Sequence, residues 1–159
     1  MLEINGLDVY IERTQILREV SLALPKGAMA GLIGRNGAGK TTLMRSVMGL
    51  LRPAKGAVRI DGADVTAAPA YGRAKLRVGY MPEDRRLVPE LTVEENILVP
   101  AWATGIVAAS SRLARIYDLI PEVPAFAQRR ALQLSGGQQK LVALARALMA
   151  GEHLLLLDE

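Results

Sequence analysis

Residues 34–42 read Gly-Arg-Asn-Gly-Ala-Gly-Lys-Thr-Thr, a stretch that fits the pattern GxxxxGK(S/T). It follows the apolar run 28–33, which lies between two glycines and is typical of a strand buried on both faces of a sheet. After it, residues 40–51 place apolar side chains at helical spacing until Pro53 ends the pattern. The order strand, glycine-rich loop, helix predicts an α/β fold with the loop between a buried strand and the start of a helix.

The glycine-rich loop has the composition of a phosphate-binding site, a P-loop. Its glycines let the backbone approach phosphate oxygens, while backbone amides and the helix N-terminus supply positive potential. We expect Lys40 to reach the β and γ phosphates of ATP and the Thr41 hydroxyl to ligate Mg²⁺. The residues predicted to contact the nucleotide are Gly34, Asn36, Gly37, Gly39, Lys40, Thr41 and Thr42. The alternative, a glycine-rich turn without a ligand, does not explain the elements on either side.

The composition limits the other functions open to this chain. It has 159 residues, 50% of them hydrophobic, which suffices for one domain with a core, and its lack of cysteine excludes a disulfide or a thiolate metal site. The formal charge of +4 comes from scattered residues rather than a basic block, so no nucleic-acid partner is expected. The N-terminus lacks the layout of a signal peptide, and no apolar run reaches the roughly 20 residues that span a bilayer.

One stretch, residues 96–111, contains no charged side chain. Trp102 lies among its alanines, and Pro100 and Gly105 interrupt it, so it is too short and too broken for a transmembrane helix. Two interpretations remain open. The stretch is either a helix buried inside the domain or an apolar surface that faces a partner.

Further elements follow from shorter patterns. Short apolar runs bounded by glycine or proline predict strands at residues 58–60 and 78–81. The three-residue spacing of a capping box predicts helices that begin at Thr92 and Ser135. An apolar stripe in residues 113–120 predicts another helix between them.

Four leucines, residues 154–157, precede Asp158 and Glu159. The run predicts a buried strand that delivers two carboxylates to the sheet edge where open α/β folds bind ligands. This arrangement matches a Walker B segment, in which Asp158 belongs to the Mg²⁺ shell and Glu159 polarises the attacking water as a general base. The alternative, a polar loop after a strand, is disfavoured by the P-loop in the same chain.

The stretch Leu134-Ser135-Gly136-Gly137-Gln138 reads LSGGQ. It resembles the signature motif of the ABC ATPases, and the resemblance extends over the whole chain. In that family the signature of one subunit closes over the ATP held by the P-loop of another. The resemblance therefore implies a homo- or heterodimer of ATPase subunits, because the signature of one chain would not reach its own P-loop. A serine hydroxyl and glycine amides at a helix N-terminus suit a γ phosphate. The residues implied to bind ATP in trans are Ser135, Gly136, Gly137 and Gln138.

Two further positions match the family pattern. Tyr10, upstream of the strand predicted at residues 17–22, resembles the aromatic residue that stacks on adenine, and the alternative is a core tyrosine. Glu83 lies where most ABC ATPases carry a glutamine that contacts Mg²⁺ or water and senses the transmembrane partner. A glutamate followed by Asp-Arg-Arg resembles the ATPases of branched-chain amino-acid importers of the LivF type. The alternative is a surface ion pair of Glu83 with Arg85 or Arg86.

The resemblance implies a role in membrane transport. The chain would be a P-loop ATPase with a mixed β core and a helical subdomain, bound peripherally at the cytoplasmic face of the inner membrane. Its expected partners are a second ATPase subunit, permease subunits and, indirectly, a periplasmic or extracellular solute-binding protein, with branched-chain amino acids as cargo. The alternatives are a ribosome-acting ABC ATPase and a nucleotide-binding protein that does not hydrolyse ATP. Catalysis is assigned to Glu159, Lys40 and Glu83, and Mg²⁺ ligation to Thr41, Asp158 and Glu83.

The family pattern also predicts how the chain is divided. Residues 1–83 would form an antiparallel β part and the P-loop core, residues 84–134 a helical subdomain, and residues 135–159 the signature helix and the Walker B strand. The pattern continues beyond Glu159 in the family, so we expect a C-terminal part of the fold to be missing from this sequence. We therefore expect the chain by itself to be poorly stable and impaired in ATP hydrolysis.

Overall fold

Residues 1–158 are described by a computed structural model of the chain, and they form two units that divide between Leu76 and Arg77. Glu159, the predicted general base, lies outside the described residues. Each unit combines helices with strands, as the predicted α/β class requires. The predicted boundaries at residues 83 and 134 stay predictions.

The first unit is built on an antiparallel sheet. In its first strand, the buried Leu2 and Ile4 alternate with the more polar Glu3 and Asn5, so one face of the sheet is apolar. The strands predicted at residues 17–22 and 58–60 are confirmed. In the spatial order of the sheet, the strands are β2 (Thr14–Leu24), β1 (Leu2–Ile11), β3 (Lys55–Ile60) and β4 (Ala63–Asp64), and the helices of this unit are α1 (Lys40–Val47) and α2 (Ala70–Ala74).

The second unit consists of helices around a parallel pair of strands. The strands are β5 (Val78–Met81) and β6 (Leu154–Leu157), and the helices are α3 (Val93–Thr104), α4 (Ala109–Leu119) and α5 (Gly136–Ala150), with 3₁₀ turns at Val123–Phe126 and Ala131–Gln133. Both predicted capping boxes are confirmed, because the hydroxyls of Thr92 and Ser135 accept from the amides three residues on. The helices enclose an apolar core formed by Val93, Ile97, Ala101, Ile116, Ile120, Val123, Phe126, Leu134, Val142, Ala145 and Met149.

The predicted strand before the P-loop is wrong for this structure. Residues 28–33 form neither strand nor helix, and the side chain of Met29 is 98% exposed. An apolar run becomes a strand only where a neighbour supplies ladder hydrogen bonds. Within residues 1–158, neither of the two sheets includes this run. Its apolar side chains therefore remain in solvent.

Two other expectations need correction. The helix after the P-loop ends at Val47 rather than Leu51, because Gly49 takes a left-handed conformation and the amide of Leu50 turns back to the Arg45 carbonyl. The strand of four leucines forms as predicted, but it is half-buried rather than buried, with Leu157 exposed. The reason is that β5 is the strand paired with it among the described residues.

The uncharged stretch 96–111 was interpreted as either a buried helix or an apolar surface, and each interpretation fits a part of it. Helix α3 covers its first part and buries Ile97 and Ala101, which confirms a packed helix. The side chains of Trp102 and Val107 are exposed, so part of the stretch presents an apolar surface. Within residues 1–158, none of the helices combines the length and the apolarity needed to cross a membrane.

Helix α5 packs on β5 at a glycine. A Cβ placed on Gly79 would lie 2.1 Å from the carbonyl oxygen of Ala147 and 2.7 Å from the amide nitrogen of Gly151. Both are backbone atoms, which cannot move aside as a flexible side chain would. Gly79 therefore sets how closely the sheet of the second unit approaches α5.

We predict that Gly79→Ala destabilises the protein, because the added methyl forces β5 away from α5. The expected loss in the free energy of unfolding is about 1–3 kcal/mol. Urea unfolding followed by circular dichroism measures it. Gly72→Ala is the matched control, since a Cβ there meets only Pro69 at ordinary contact distances of 3.7 and 3.8 Å. Equal stability of the two variants would show that the close approach is not what holds this packing.

Candidate nucleotide site

The P-loop residues surround the start of α1. Gly39 is the N-cap residue, in a left-handed conformation, and no side chain among the described residues caps the helix there. The amides of the first turn thus point into an exposed loop, with Gly34, Asn36 and Gly37 all exposed. This is the arrangement that binds phosphate at helix N-termini.

Lys40 lies across this loop. Its ammonium group donates to the carbonyl oxygen of Gly34 at 2.9 Å and to that of Arg35 at 3.1 Å. The charge is therefore held at the mouth of the loop, next to the amides. Thr41 is half-buried in the first turn of α1, whereas Thr42 is buried, which makes Thr42 a weaker candidate for a phosphate contact than the sequence implies.

Tyr10 lies on the same sheet as the strand against which the P-loop packs. Its side chain is 45% exposed, which excludes the alternative of a core tyrosine. It is paired with Gln15 of β2, and the next two residues of β2, Ile16 and Leu17, are the nearest neighbours of Gly39. The register thus places Tyr10 on the strand next to the one that contacts the end of the P-loop, and its stacking on adenine stays a prediction.

The signature residues form the exposed N-terminus of α5. The Ser135 hydroxyl accepts from the Gln138 amide at 3.4 Å, and the Gln138 side chain accepts from the Ser135 amide at 3.0 Å. Gly136 and Gly137 occupy the first two helical positions and are exposed. The guanidinium of Arg85 lies beside this terminus, 3.6 Å from where a Cβ on Gly136 would be. A helix N-terminus next to a cation favours an anion.

The parallel pairing of β5 and β6 brings two acidic segments to one edge. Met81 is paired with Leu157, so Glu83 and Asp158 follow their strands on the same side of this sheet. Asp158 is buried, its amide donates to the Met81 carbonyl at 2.9 Å, and its carboxylate accepts from the Tyr80 hydroxyl at 3.4 Å. Glu83 is exposed.

The alternative of an ion pair for Glu83 is not what the structure shows. Arg86 donates to Asp84 at 2.6 Å, and this hydrogen bond raises the pKa of the Arg86 guanidinium. Arg85 contacts Gln139 of α5 at 3.4 Å. Among residues 1–158 the ion pairs do not include Glu83. Its carboxylate is therefore presented on an exposed loop.

Arg146 of α5, the helix that begins with the signature residues, is hydrogen-bonded to this loop. This residue was not identified from the sequence. Its guanidinium donates to the carbonyl of Arg86 at 2.7 Å and also to that of Arg85. Burial lowers the pKa of Arg146. Both accepting residues have a positive φ, 58° for Arg85 and 46° for Arg86. Residues other than glycine adopt this backbone conformation only at a cost in free energy. The hydrogen bonds to Arg146 offset that cost.

Asn96 holds the far side of the same loop. Its buried side-chain amide accepts from the Val88 amide at 2.8 Å and donates to the carbonyls of Val88 and Thr92 at 3.0 and 2.9 Å. The one sequence signal for Asn96 and Arg146 was a polar residue at an apolar helical position. Such a position indicates burial but does not reveal the partners.

The oxygen donors predicted for Mg²⁺ fit the preference of that ion for hydroxyl, carboxylate and phosphate oxygens. They are the Thr41 hydroxyl in the first unit and the carboxylates of Asp158 and Glu83 in the second. No group of three or more acidic, histidine or cysteine side chains that could hold a metal occurs in residues 1–158. Mg²⁺ in nucleotide sites is typically held by one or two protein oxygens together with the phosphates, so each of these oxygens is of a type that suits an ion arriving with ATP, and their shared role stays a prediction.

Residues 17–159 match the model of the ABC transporter family. The chain belongs to this family. It is an ATP-binding domain of the P-loop type, with the mixed strand and helix content that this fold requires. The predicted family and fold are thereby confirmed.

Curated relatives include several importers. The chain is 34% identical to a probable branched-chain amino-acid transport ATP-binding protein LivF of Archaeoglobus fulgidus, aligned over all of this chain and 67% of the relative. It is 35% identical to the high-affinity branched-chain amino-acid transport ATP-binding protein BraG of Pseudomonas aeruginosa, of which it covers 68%. An Fe(3+) import ATP-binding protein FbpC of Rhodococcus jostii is 40% identical, over 99% of this chain and 45% of the relative.

Solved structures agree on the fold. A bacterial ABC transporter cassette determined as a dimer has a TM-score of 0.82 and 28% identity, covering 94% of this chain and 70% of that chain. The same cassette in a post-hydrolysis state with ADP and Pi gives the same TM-score. Those dimers and nucleotides are properties of the neighbours.

We predict that Arg146→Met increases the mobility of the loop that carries Glu83. The reason is that the carbonyls of Arg85 and Arg86, two residues with strained backbone, lose the hydrogen bonds that Arg146 donates. The expected cost is about 2 kcal/mol in the free energy of unfolding, together with faster hydrogen exchange of the amides in residues 84–88. Lys140→Met is the control, since Lys140 is exposed on the same helix. Unchanged exchange in this loop would contradict the assignment of Arg146 as its anchor.

Proposed function

We propose that this ABC ATP-binding subunit holds ATP and Mg²⁺ at the start of α1 and hydrolyses ATP to drive solute import. The observation that carries the proposal is the N-terminus of α1, which has no side-chain cap among the described residues and opens into the exposed loop 34–38, with the Lys40 ammonium held across that loop. Amide dipoles and a cation converge there on a position suited to phosphates. Tyr10 would stack on adenine, and Gly34, Asn36, Gly37, Gly39, Thr41 and Thr42 would line the remaining contacts.

In the proposed hydrolysis, each carboxylate of the second unit has its own role. Asp158, buried beside the end of β5, would hold the Mg²⁺ shell, and Glu159 would act as general base on the attacking water. Glu83 would contact Mg²⁺ or water and report on the permease. The exposure of its loop supports that second role, because a partner protein can reach it.

We further propose that two copies, or this chain and a related one, share each nucleotide. The Ser135 hydroxyl and the amides of Gly136 and Gly137 would approach the γ phosphate from the opposite side, together with Gln138. The exposed N-terminus of α5 and the adjacent Arg85 guanidinium support this, since both favour a phosphate. The neighbour determined as a dimer supports it as well.

The proposed cargo is a branched-chain amino acid. The two branched-chain relatives align with the whole of this chain, and the sequence after β5 has the Glu-Asp-Arg-Arg form that suggests the LivF type. Iron and phosphonate importers are also among the relatives, so the cargo rests on analogy. The subunit would sit at the cytoplasmic face of the membrane on permease subunits, supplied by a solute-binding protein.

The exposed run 28–33 supports the expectation that the 159-residue chain by itself is impaired in ATP hydrolysis. The P-loop is normally held between a strand and a helix, whereas within residues 1–158 the segment before it pairs with neither sheet. We propose that the 159-residue chain binds ATP but hydrolyses it slowly. Nucleotide binding and phosphate release, measured separately, distinguish these two steps.

We predict that Lys40→Ala weakens ATP binding, because it removes the cation from the loop. Loss of a charge-assisted hydrogen bond corresponds to about a tenfold rise in Kd or more. Equilibrium dialysis or calorimetry with ATP and Mg²⁺ measures it, and Lys26→Ala, at an exposed lysine of the same unit, is the control. Equal affinity of Lys40→Ala and the parent chain would rule out this P-loop as the nucleotide site.

We predict that Ser135→Arg prevents ATP-dependent dimerisation and leaves the affinity of the P-loop for ATP unchanged. The larger side chain would fill the start of α5, where the second copy's phosphate is expected. Sedimentation velocity with ATP and Mg²⁺ measures association, and Ser110→Arg on the exposed side of α4 is the matched control. A Ser135→Arg dimer as stable as that of the control would exclude the signature from the shared site.

A further inference from the structure

Arg73 is a buried arginine that no predicted role explains. It belongs to the short helix α2, and only 1% of its surface is exposed, which makes it one of the largest fully buried side chains in residues 1–158. A guanidinium without water requires partners for its donors. Burial lowers the pKa of Arg73, yet a guanidinium stays charged.

The partners of Arg73 are carbonyl oxygens of two segments. Nη1 donates to the carbonyls of Ser46 and Val47, each at 2.6 Å, and these are the last two residues of α1. Nη2 donates to the Thr66 carbonyl at 3.0 Å, and Nε to the Ala68 carbonyl at 3.1 Å. One planar side chain thus joins the end of α1 to the segment between β4 and α2.

Gly49 supplies the space for this guanidinium. A Cβ on Gly49 would lie 2.7 Å from Nε of Arg73 and 2.9 Å from the Ala68 carbonyl oxygen. Gly49 has φ +72°, so the chain leaves α1 in a conformation that glycine adopts freely. The turn after α1 is therefore shaped around the arginine.

The helix that Arg73 holds is the one that starts in the P-loop. With eight residues, α1 is about 12 Å long, so a shift of its C-terminus moves its N-terminus as a rigid body. Its negative dipole end receives the guanidinium charge, and its positive end carries the amides around Lys40. Fixing one end fixes the other.

We propose that Arg73 is a positioning residue for nucleotide binding, which holds α1 so that its first-turn amides and Lys40 converge on the phosphates. The inference rests on the proposed P-loop site. Within residues 1–158, the hydrogen bonds of Arg73 go to the end of α1 and to the segment before α2 rather than to the P-loop, so Arg73 would act on the nucleotide through α1. A residue with only a structural role would change the stability of the fold and leave the affinity of folded molecules for ATP unchanged.

Three variants of the 159-residue chain test this, measured below the unfolding temperature of each variant. Arg73→Met keeps the length of the side chain and removes its donors. Arg73→Lys keeps the charge but cannot reach all four carbonyls from one ammonium. Arg59→Met is the control, at an exposed arginine of β3 in the same unit. The readouts are Kd for ATP with Mg²⁺, amide hydrogen exchange of residues 37–42, and Tm.

We expect Arg73→Met to raise Kd about three- to tenfold and to speed exchange in residues 37–42, with Arg73→Lys intermediate and Arg59→Met unchanged. A lower Tm of Arg73→Met with unchanged Kd would overturn the proposal. If Arg73→Met does not fold, Arg73→Lys decides, and a Kd equal to that of the parent chain overturns it. Lys40→Ala, measured in parallel, tests the site itself: if it binds ATP normally, the proposed function fails rather than the role of Arg73.

Discussion

The close approach of α5 to β5 is the constraint on which the second unit depends. It is possible because position 79 carries no side chain between the strand and the backbone of the helix. Along its inner face, α5 buries Val142, Ala145 and Met149 against the other helices. The helix thus fixes its own N-terminus, where the signature residues lie, relative to the strand that leads to Glu83.

Arginine side chains bound to main-chain carbonyls recur in both units. Arg73 joins the end of α1 to the segment before α2, and Arg146 joins α5 to the loop after β5. Arg112 of α4 donates to the Leu148 carbonyl at the end of α5 and to Glu152, whose pKa this hydrogen bond lowers. The guanidinium suits this task because its planar fork reaches several acceptors and it remains charged when buried.

The carbonyls that accept from these arginines lie where the backbone leaves a regular element. Helix ends and tight loops expose carbonyls without intrahelical partners, and a cation at a helix C-terminus also complements the helix dipole. At their other ends, the N-terminus of α5 is exposed and that of α1 opens into the exposed loop 34–38, and N-termini are the helix ends suited to phosphates. Helices α1 and α5 are therefore each held near the C-terminus by an arginine, while the N-terminus remains accessible to a ligand.

Much of this protein could be predicted from local sequence. The capping boxes at Thr92 and Ser135 were correct because their hydrogen bonds join residues only three positions apart. The P-loop pattern, the LSGGQ stretch and the four leucines before Asp158 were sufficient to indicate the family, which the comparison confirmed. In these cases the residues that act together are also neighbours along the chain.

What depends on distant residues was decided only by the tertiary structure. The apolar run 28–33 has the composition of a buried strand, yet strand formation requires a neighbour, and sequence composition does not supply one. The roles of Arg73 and Arg146 are equally invisible in the sequence. The α1 carbonyls that accept from Arg73 lie 26 and 27 residues away, and the acceptors of Arg146 lie 60 and 61 residues away. A pattern of residue types records which side chains prefer burial, whereas hydrogen-bond partners are set by how the segments pack.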